Sequence, residues 1–387
     1  MSLPSLEPLI ETRRVVLCVG CGGVGKTTVA AALALAAAQR GRRVLCLTID
    51  PARRLANSLG LDRMTGEAQR VDEALFRQAG VQVRGELTLM MLDTKRTFDE
   101  LVTRHASSRE ARDRILNNRL YQYVSTSLAG TQEYMAMEKL LAVQQDSSYD
   151  LIVLDTPPTS NALDFLDAPE RITQAIDSAA MRWFIQAFES SGKFSLNLVA
   201  KSVALVLKGI GRLTGGGFLE QMAEFVTELN DLFGGFKSRA AQVAAAFRSP
   251  DFAYVLVTSP APMAIREVLY FAERLSEQGM AQDAFVVNRL HRAPRSVATL
   301  TEAEDAIQRH GLTLGEGAAE RLVRAVTEEQ QLADLDRRHL ATLQAALKSK
   351  QGEPTTQVLI PALPSDVHDI ATLVGIAELL APSARAA

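Results

Sequence analysis

The sequence predicts an α/β fold, a doubly wound and mostly parallel sheet with an inserted α-helical subdomain. Three observations predict it. The strand-like segment Val15 to Val19 runs into the glycine-rich stretch Gly20-Cys21-Gly22-Gly23-Val24-Gly25-Lys26-Thr27-Thr28 and leaves it through an alanine-rich helix, Val29 to Gln39. Further apolar runs alternate with helical patterns, the order that sets parallel strands side by side with crossover helices on both faces. Between Ala168 and Ser249 the alternation gives way to helical periodicity alone.

The Gly20–Thr28 stretch matches GxxxxGK[ST] and has the strand before it and the helix after it that the motif requires. Its glycines let the N–H groups of Gly22, Gly23, Val24 and Gly25 approach phosphate oxygens, and the following helix turns its positive end toward the same anion. Lys26 is expected at the β and γ phosphates of ATP and the Thr27 hydroxyl on Mg²⁺, with Thr28 completing the phosphate contacts. A run such as Arg43 to Ile49 reads as a parallel strand covered on both faces, and it ends in Asp50-Pro51-Ala52-Arg53-Arg54-Leu55. Ligands gather at the carboxyl ends of parallel strands, so Asp50 is placed near the phosphates; a helix N-cap is the competing role. Tyr149 to Asp155 is a third such strand, and its terminal carboxylate fits a residue that holds Mg²⁺ through water. The following Thr156-Pro157-Pro158-Thr159-Ser160-Asn161 loop stands where a γ-phosphate sensor belongs.

Elsewhere Leu87 to Leu92 reads as a short strand and Lys95 to Asp146 as helical, with a helix start at Gly130-Thr131-Gln132-Glu133. In the helical stretch, Leu196, Val199, Val203, Val206 and Ile210 form one apolar stripe, and Phe218, Met222, Phe225, Leu229, Leu232 and Phe236 form another. They serve either as an ordinary packed subdomain or as a groove for an apolar segment. The sheet resumes with Phe252 to Thr258 and Asp283 to Asn288, separated by a helix from Ile265 to Gln278. Asn288 is either a reader of the adenine edge or a turn asparagine. Thr301 to Lys350 is helical, with Glu328 to Arg338 as a solvated face; Thr356 to Ile360 is the seventh strand, and Val367 to Leu380 closes the chain as a helix. Residues 1–165 and 250–387 are assigned to an ATPase domain and 166–249 to the helical subdomain, to which 95–130 also contribute.

At 387 residues, 47% hydrophobic and a net charge of −3, the chain has a large core and one big domain or two smaller ones, with no case for nucleic-acid binding. No run approaches the ~20 apolar residues of a membrane span; Phe194 to Ile210 is broken by Lys201 and Lys208. Met1 to Arg14 lacks the features of a signal peptide, so a cytoplasmic protein without stable membrane insertion is expected. Cys18 and Cys21 spell CxxC, but one lies in a strand and the other in the loop, so no metal or redox pair is read there.

Together these motifs resemble the arsenical-pump-driving and tail-anchored-protein-targeting ATPases, a branch of the deviant phosphate-loop NTPases. The first loop is similar to GKGGVGKT, Asp50 to Leu55 to DPAHNL, Asp155 to Asn161 to DTAPTGH, and Val286-Val287-Asn288 to the adenine-reading VVN. Ile360-Pro361-Ala362-Leu363 resembles the loop that flanks adenine, placing Pro361 and Leu363 beside the base. The resemblance implies a face-to-face dimer, with Asp50 orienting the attacking water, Asp50 and Asp155 holding Mg²⁺ through water, and hydrolysis moving the helical subdomains. Three departures bear on it. Cys21 occupies the position of the family's lysine that reaches across the dimer, which points to a partner paralogue that supplies the cation or to Arg53 or Arg54 as its substitute. No cysteine follows Cys46, so neither a zinc clasp nor a metalloid site can be built, and Met181 and Met222 are among few methionines in the insertion. The leading expectation is an ATP-driven switch that binds a hydrophobic protein segment. Its alternatives are a low-turnover nucleotide-bound subunit and a partition- or septum-type ATPase; Arg385 as the only Lys or Arg from Val367 to Ala387 counts against the last.

Overall fold

The computed structural model describes residues 4–49, 55, 59, 64–119, 121–122, 125, 131–157, 159–177, 235, 238–294, 299–350 and 355–382. Asp50, Arg53, Arg54 and both apolar stripes between Leu196 and Phe236 lie outside the described residues. The chain divides into two compact units, one of Met1–Met90, Ser148–Ala162 and Pro250–Ala387, the other of Met91–Ser147 and Leu163–Ser249.

The first unit is built on one sheet. Its strands are β1 (Val15–Val19), β2 (Arg43–Thr48), β3 (Gln69–Arg70), β4 (Glu86–Met91), β5 (Leu151–Asp155), β6 (Phe252–Thr258), β7 (Ala284–Leu290) and β8 (Thr356–Pro361), in the order β3-β4-β2-β5-β1-β6-β7-β8. Pairing is parallel from β2 through β8 and antiparallel between β3 and β4. Every residue of β1, β5 and β6 is buried, which is why these strands read as unbroken apolar runs. Seven of the eight strands are those expected; β3 is two polar residues at the sheet edge, too short for any periodicity to reveal.

The Lys26–Gln39 helix is buried along nearly its whole length, packed against the sheet and against the Ile370–Leu380 helix. A helix covered on two sides must be apolar all round. Alanine lets both neighbours come close. The C-terminal helix is started by Asp369, whose side chain accepts the Thr372 N–H at 2.7 Å. Leu6 donates its N–H to the Leu380 carbonyl at 2.8 Å, so the two ends of the described chain meet.

The second unit carries the helices Thr94–His105, Arg109–Asn117 and Thr131–Gln144, and residues 238–247 are helical. Phe98 meets Tyr121 edge to face at 5.4 Å, and Phe165 lies 5.7 Å from Phe247. Glu138 is buried, and it accepts from the Tyr134 hydroxyl and from Arg239 Nε at 2.8 Å. A buried carboxylate needs such partners, since an unpaired one would cost several kcal/mol by order of magnitude.

Asp150, just before β5, is a surface counterpart. Its carboxylate accepts the Arg43 N–H at 2.9 Å and the guanidinium at 2.7 and 3.1 Å, and these bonds hold its pKa at about 2. Folding lowers this pKa, so the stabilisation is present above the unfolded value and lost as pH falls toward the folded one. Both side chains are more than a third exposed, which screens the effect. Asp150→Asn should therefore reduce stability by less than ~1 kcal/mol at pH 7, with the deficit closing between about pH 4 and pH 2; urea titrations of both proteins across that range would measure it.

Candidate nucleotide site

The site forms where the carboxyl ends of β1, β2 and β5 stand side by side. β5 lies between the other two, so Asp155 is opposite Cys18 of β1 and Thr48 of β2. Asp155 is 1% exposed, and the Thr48 hydroxyl donates to its Oδ2 at 3.0 Å. Thr156 donates its hydroxyl to the Cys18 carbonyl at 2.8 Å, which ties the start of the second loop to the strand that feeds the first. The Ile49 N–H bonds the Asp155 carbonyl at 3.2 Å, bringing β2 to the same place one residue before Asp50. Burial, and then the Asp155 charge, push the Cys18 and Cys46 thiols up, so both are neutral.

The phosphate loop leaves β1 over the end of β6. A Cβ on Gly20 would lie 2.0 Å from the Val257 carbonyl oxygen, so only glycine passes. Gly23 and Gly25 are left-handed, with φ of 80° and 96°, and Gly25 caps the Lys26–Gln39 helix. Gly22 and Gly23 are exposed, Val24 is buried, and Thr27 and Thr28 are half-buried at the helix start. Lys26 is 8% exposed, and its ammonium donates to the Cys21 carbonyl at 2.9 Å, across the mouth of the loop. Left-handed glycines, a helix N-terminus and a buried ammonium make a donor set that fits a polyphosphate.

Cys21 is itself buried, and burial, followed by the nearby Glu267 carboxylate, pushes its thiol up. It is neutral and contributes its carbonyl, not a charge. Glu267 comes from the Pro262–Glu277 helix, and no local sequence pattern links the two.

On the other side of the loop Asn288 ends the buried part of β7. Its Nδ2 donates to the Val24 carbonyl at 2.8 Å, and its Oδ1 accepts the Arg289 N–H at 2.9 Å. The amide thus braces the phosphate loop, keeping one further donor and one further acceptor position. A Cβ on Gly25 would come within 2.2 Å of that Nδ2. Beyond Asn288 opens a pocket of about 250 Å³ lined by Gly25, Thr28, Asn288, His291, Pro361 and Leu363, among others. The Ala362 N–H bonds the Leu290 carbonyl at 2.8 Å and holds the Pro361–Leu363 wall to β7. The loop and the pocket share Gly25 and Thr28, so the two are continuous.

A family model described as anion-transporting ATPase matches residues 13–314 of the chain, from the start of β1 past β7. The chain belongs to the anion-transporting ATPase family. It is accordingly an ATPase that binds ATP. Similar proteins include ATPase get3 of Aspergillus terreus, 25% identical over 74% of this chain and 76% of its own length. Two more are ATPase GET3 of Phaeosphaeria nodorum, 25% identical over 74% and 80%, and ATPase GET3 of Paracoccidioides lutzii, 26% identical over 74% and 76%.

Of the expected site residues, Gly22, Gly23, Val24, Gly25, Lys26, Thr27, Thr28 and Asp155 lie together at the strand ends, and Asn288, Pro361 and Leu363 lie at the pocket. Asp50 falls outside the described residues. Sequence patterns missed His291 and Asp336. Glu328 to Arg338 was expected to be a solvated face, but Asp336 is buried at 7% because it accepts two hydrogen bonds from His291. Among the described residues no helix is long and apolar enough to cross a membrane.

The two left-handed glycines separate backbone cost from contact. Gly23→Ala meets nothing within 4 Å and should cost ~1–2 kcal/mol through its φ alone. Gly25→Ala carries the same cost and also displaces the Asn288 amide, so denaturant titration should find it the less stable of the two.

Proposed function

We propose that the chain is a Mg²⁺-dependent ATP-hydrolysing switch whose nucleotide state gates a helical subdomain that receives a hydrophobic protein segment. The observation that carries this reading is the convergence of the Gly20–Thr28 loop with the buried Asp155 at adjacent strand ends. The loop amides, Thr28 and Lys26 would hold the phosphates. Thr27 would bind Mg²⁺ directly, with Asp155 acting through water; the ion, when bound, neutralises charge on the phosphoryl oxygens. Thr48 supports this role by holding one oxygen of Asp155, which leaves the carboxylate's direction set by the strand. Asp50, two residues past β2, would orient the attacking water, and Asn288, Pro361 and Leu363 would flank the base.

Cysteine carries no positive charge in either protonation state, so a cation beyond Lys26 that stabilises charge transferred to the leaving group would come from elsewhere. Arg53 or Arg54 of the same chain, or the lysine of a paralogous partner, would supply it. A cytoplasmic dimer, of one chain or of two related ones, fits this requirement. The alternative favoured by Cys21 is a low-turnover subunit that binds nucleotide and leaves hydrolysis to its partner.

Steady-state Mg²⁺-dependent hydrolysis by the purified chain separates these readings. The switch predicts turnover that falls by about 10²–10³ in Asp50→Asn and further in Lys26→Ala. ATP binding without turnover in the unsubstituted chain would sink the switch reading and favour the low-turnover subunit.

A further inference from the structure

Asp336 lies within the Ala318–Lys350 helix, yet its side chain is 10% exposed, turned toward the end of β7. One carboxylate oxygen, Oδ2, receives both the His291 main-chain N–H at 2.9 Å and the imidazole Nδ1 at 2.8 Å. An ionised carboxylate only accepts, so Nδ1 carries the ring proton. In the neutral ring the second nitrogen, Nε2, is then an acceptor, because the bond made by one nitrogen sets the state of the other.

The backbone aims this group. Register shifts between Val287 and Leu290, and Arg289 is left-handed at φ 63°, the sole non-glycine residue with positive φ among those described. Such a conformation persists only where its surroundings enforce it. Here the Asn288 side chain accepts the N–H of Arg289 itself, the Ala362 N–H binds the carbonyl of the next residue, Leu290, and Asp336 holds His291 one residue further on. The turn delivers His291 to the wall of the pocket beyond Asn288, its side chain 31% exposed.

We infer that His291 selects the base of the bound nucleotide, its Nε2 accepting a hydrogen bond from the exocyclic amino group of a 6-aminopurine while Asp336 holds the ring in the required tautomer. The inference rests on the nucleotide reading of the pocket. Asn288 offers a donor and an acceptor together, and so fits either a 6-amino or a 6-oxo edge. His291, as a neutral ring with Nδ1–H on Asp336, offers an acceptor at Nε2. Against that neutral ring a 6-oxo purine would set two acceptors face to face. Asp336 is a positioning residue in this scheme; His291 touches the ligand.

The test is equilibrium binding of Mg²⁺-ATP, Mg²⁺-ITP and Mg²⁺-N6,N6-dimethyl-ATP to the full chain, with tripolyphosphate as a competitor that has no base. The unsubstituted chain should prefer ATP by about tenfold over both ITP and the dimethyl analogue, which lacks the donated proton. His291→Phe should bring ATP and ITP within about twofold of each other, Asp336→Ala should lie between, and His291→Gln, whose Oε1 can accept, should recover part of the preference. Equal binding of ATP and ITP by the unsubstituted chain, with tripolyphosphate still competing, overturns the inference and leaves the phosphate site standing. So does an unchanged ratio in His291→Phe or, if that variant does not fold, in Asp336→Ala. If neither ATP nor tripolyphosphate binds, the nucleotide reading fails and this inference falls with it.

Discussion

The constraint on which the site depends is the close approach of the phosphate loop to the strands on its β6 side. Gly20 passes so near the Val257 carbonyl that no side chain fits, and Gly25 lies so near the Asn288 amide that a methyl would collide with it. Between these points Val24 is tied to Asn288 by a hydrogen bond. The loop is therefore shaped by β6 and β7 as much as by its own glycines. Because β1 stands in the middle of the sheet, with β5 on one side and β6 then β7 on the other, one loop has the Asp155 carboxylate on its β5 side, the Val257 carbonyl of β6 against Gly20, and the Asn288 brace from β7 beyond.

The alanine-rich helix transmits that placement. From Val29 to Ala38 it is buried between the sheet and the C-terminal helix, and its N-terminus is the phosphate end of the site. Burial of a side chain such as Val29, Leu33 or Leu35 is worth ~1.5–3 kcal/mol, against less than ~1 kcal/mol for an exposed ion pair such as Arg43–Asp150. The helix is thus held by packing and not by surface charge. Packing also sets where its positive end points.

Charge within the loop is sparse. Lys26 is the cation between Gly20 and Thr28, and it is held by the main chain of Cys21, whose own thiol is buried beside Glu267. A residue that supplies a carbonyl and no charge keeps Lys26 in place but adds nothing to the field at the transferring phosphate. This arrangement is a physical reason to look for a second cation outside the loop.

The fold class and the placement of the glycine loop and Asp155 at adjacent strand ends were legible in the chain, because each rests on local chemistry. Buried parallel strands must be apolar runs, a phosphate loop must have glycines where φ is positive, and a strand-end carboxylate follows its strand. The seven longer strands were readable for this reason, and β3, two polar residues paired at an edge, was not. What tertiary structure alone decided are the contacts between distant segments. Asn288 bracing Val24, Glu267 beside Cys21, and Asp336 drawn out of a charged helical face to hold His291 each join residues with no shared periodicity. A charged residue on a helix looks solvated from its neighbours in sequence. Only the strand end that packs against it determines that Asp336 is buried, because burial of a carboxylate requires donors that the helix itself does not supply.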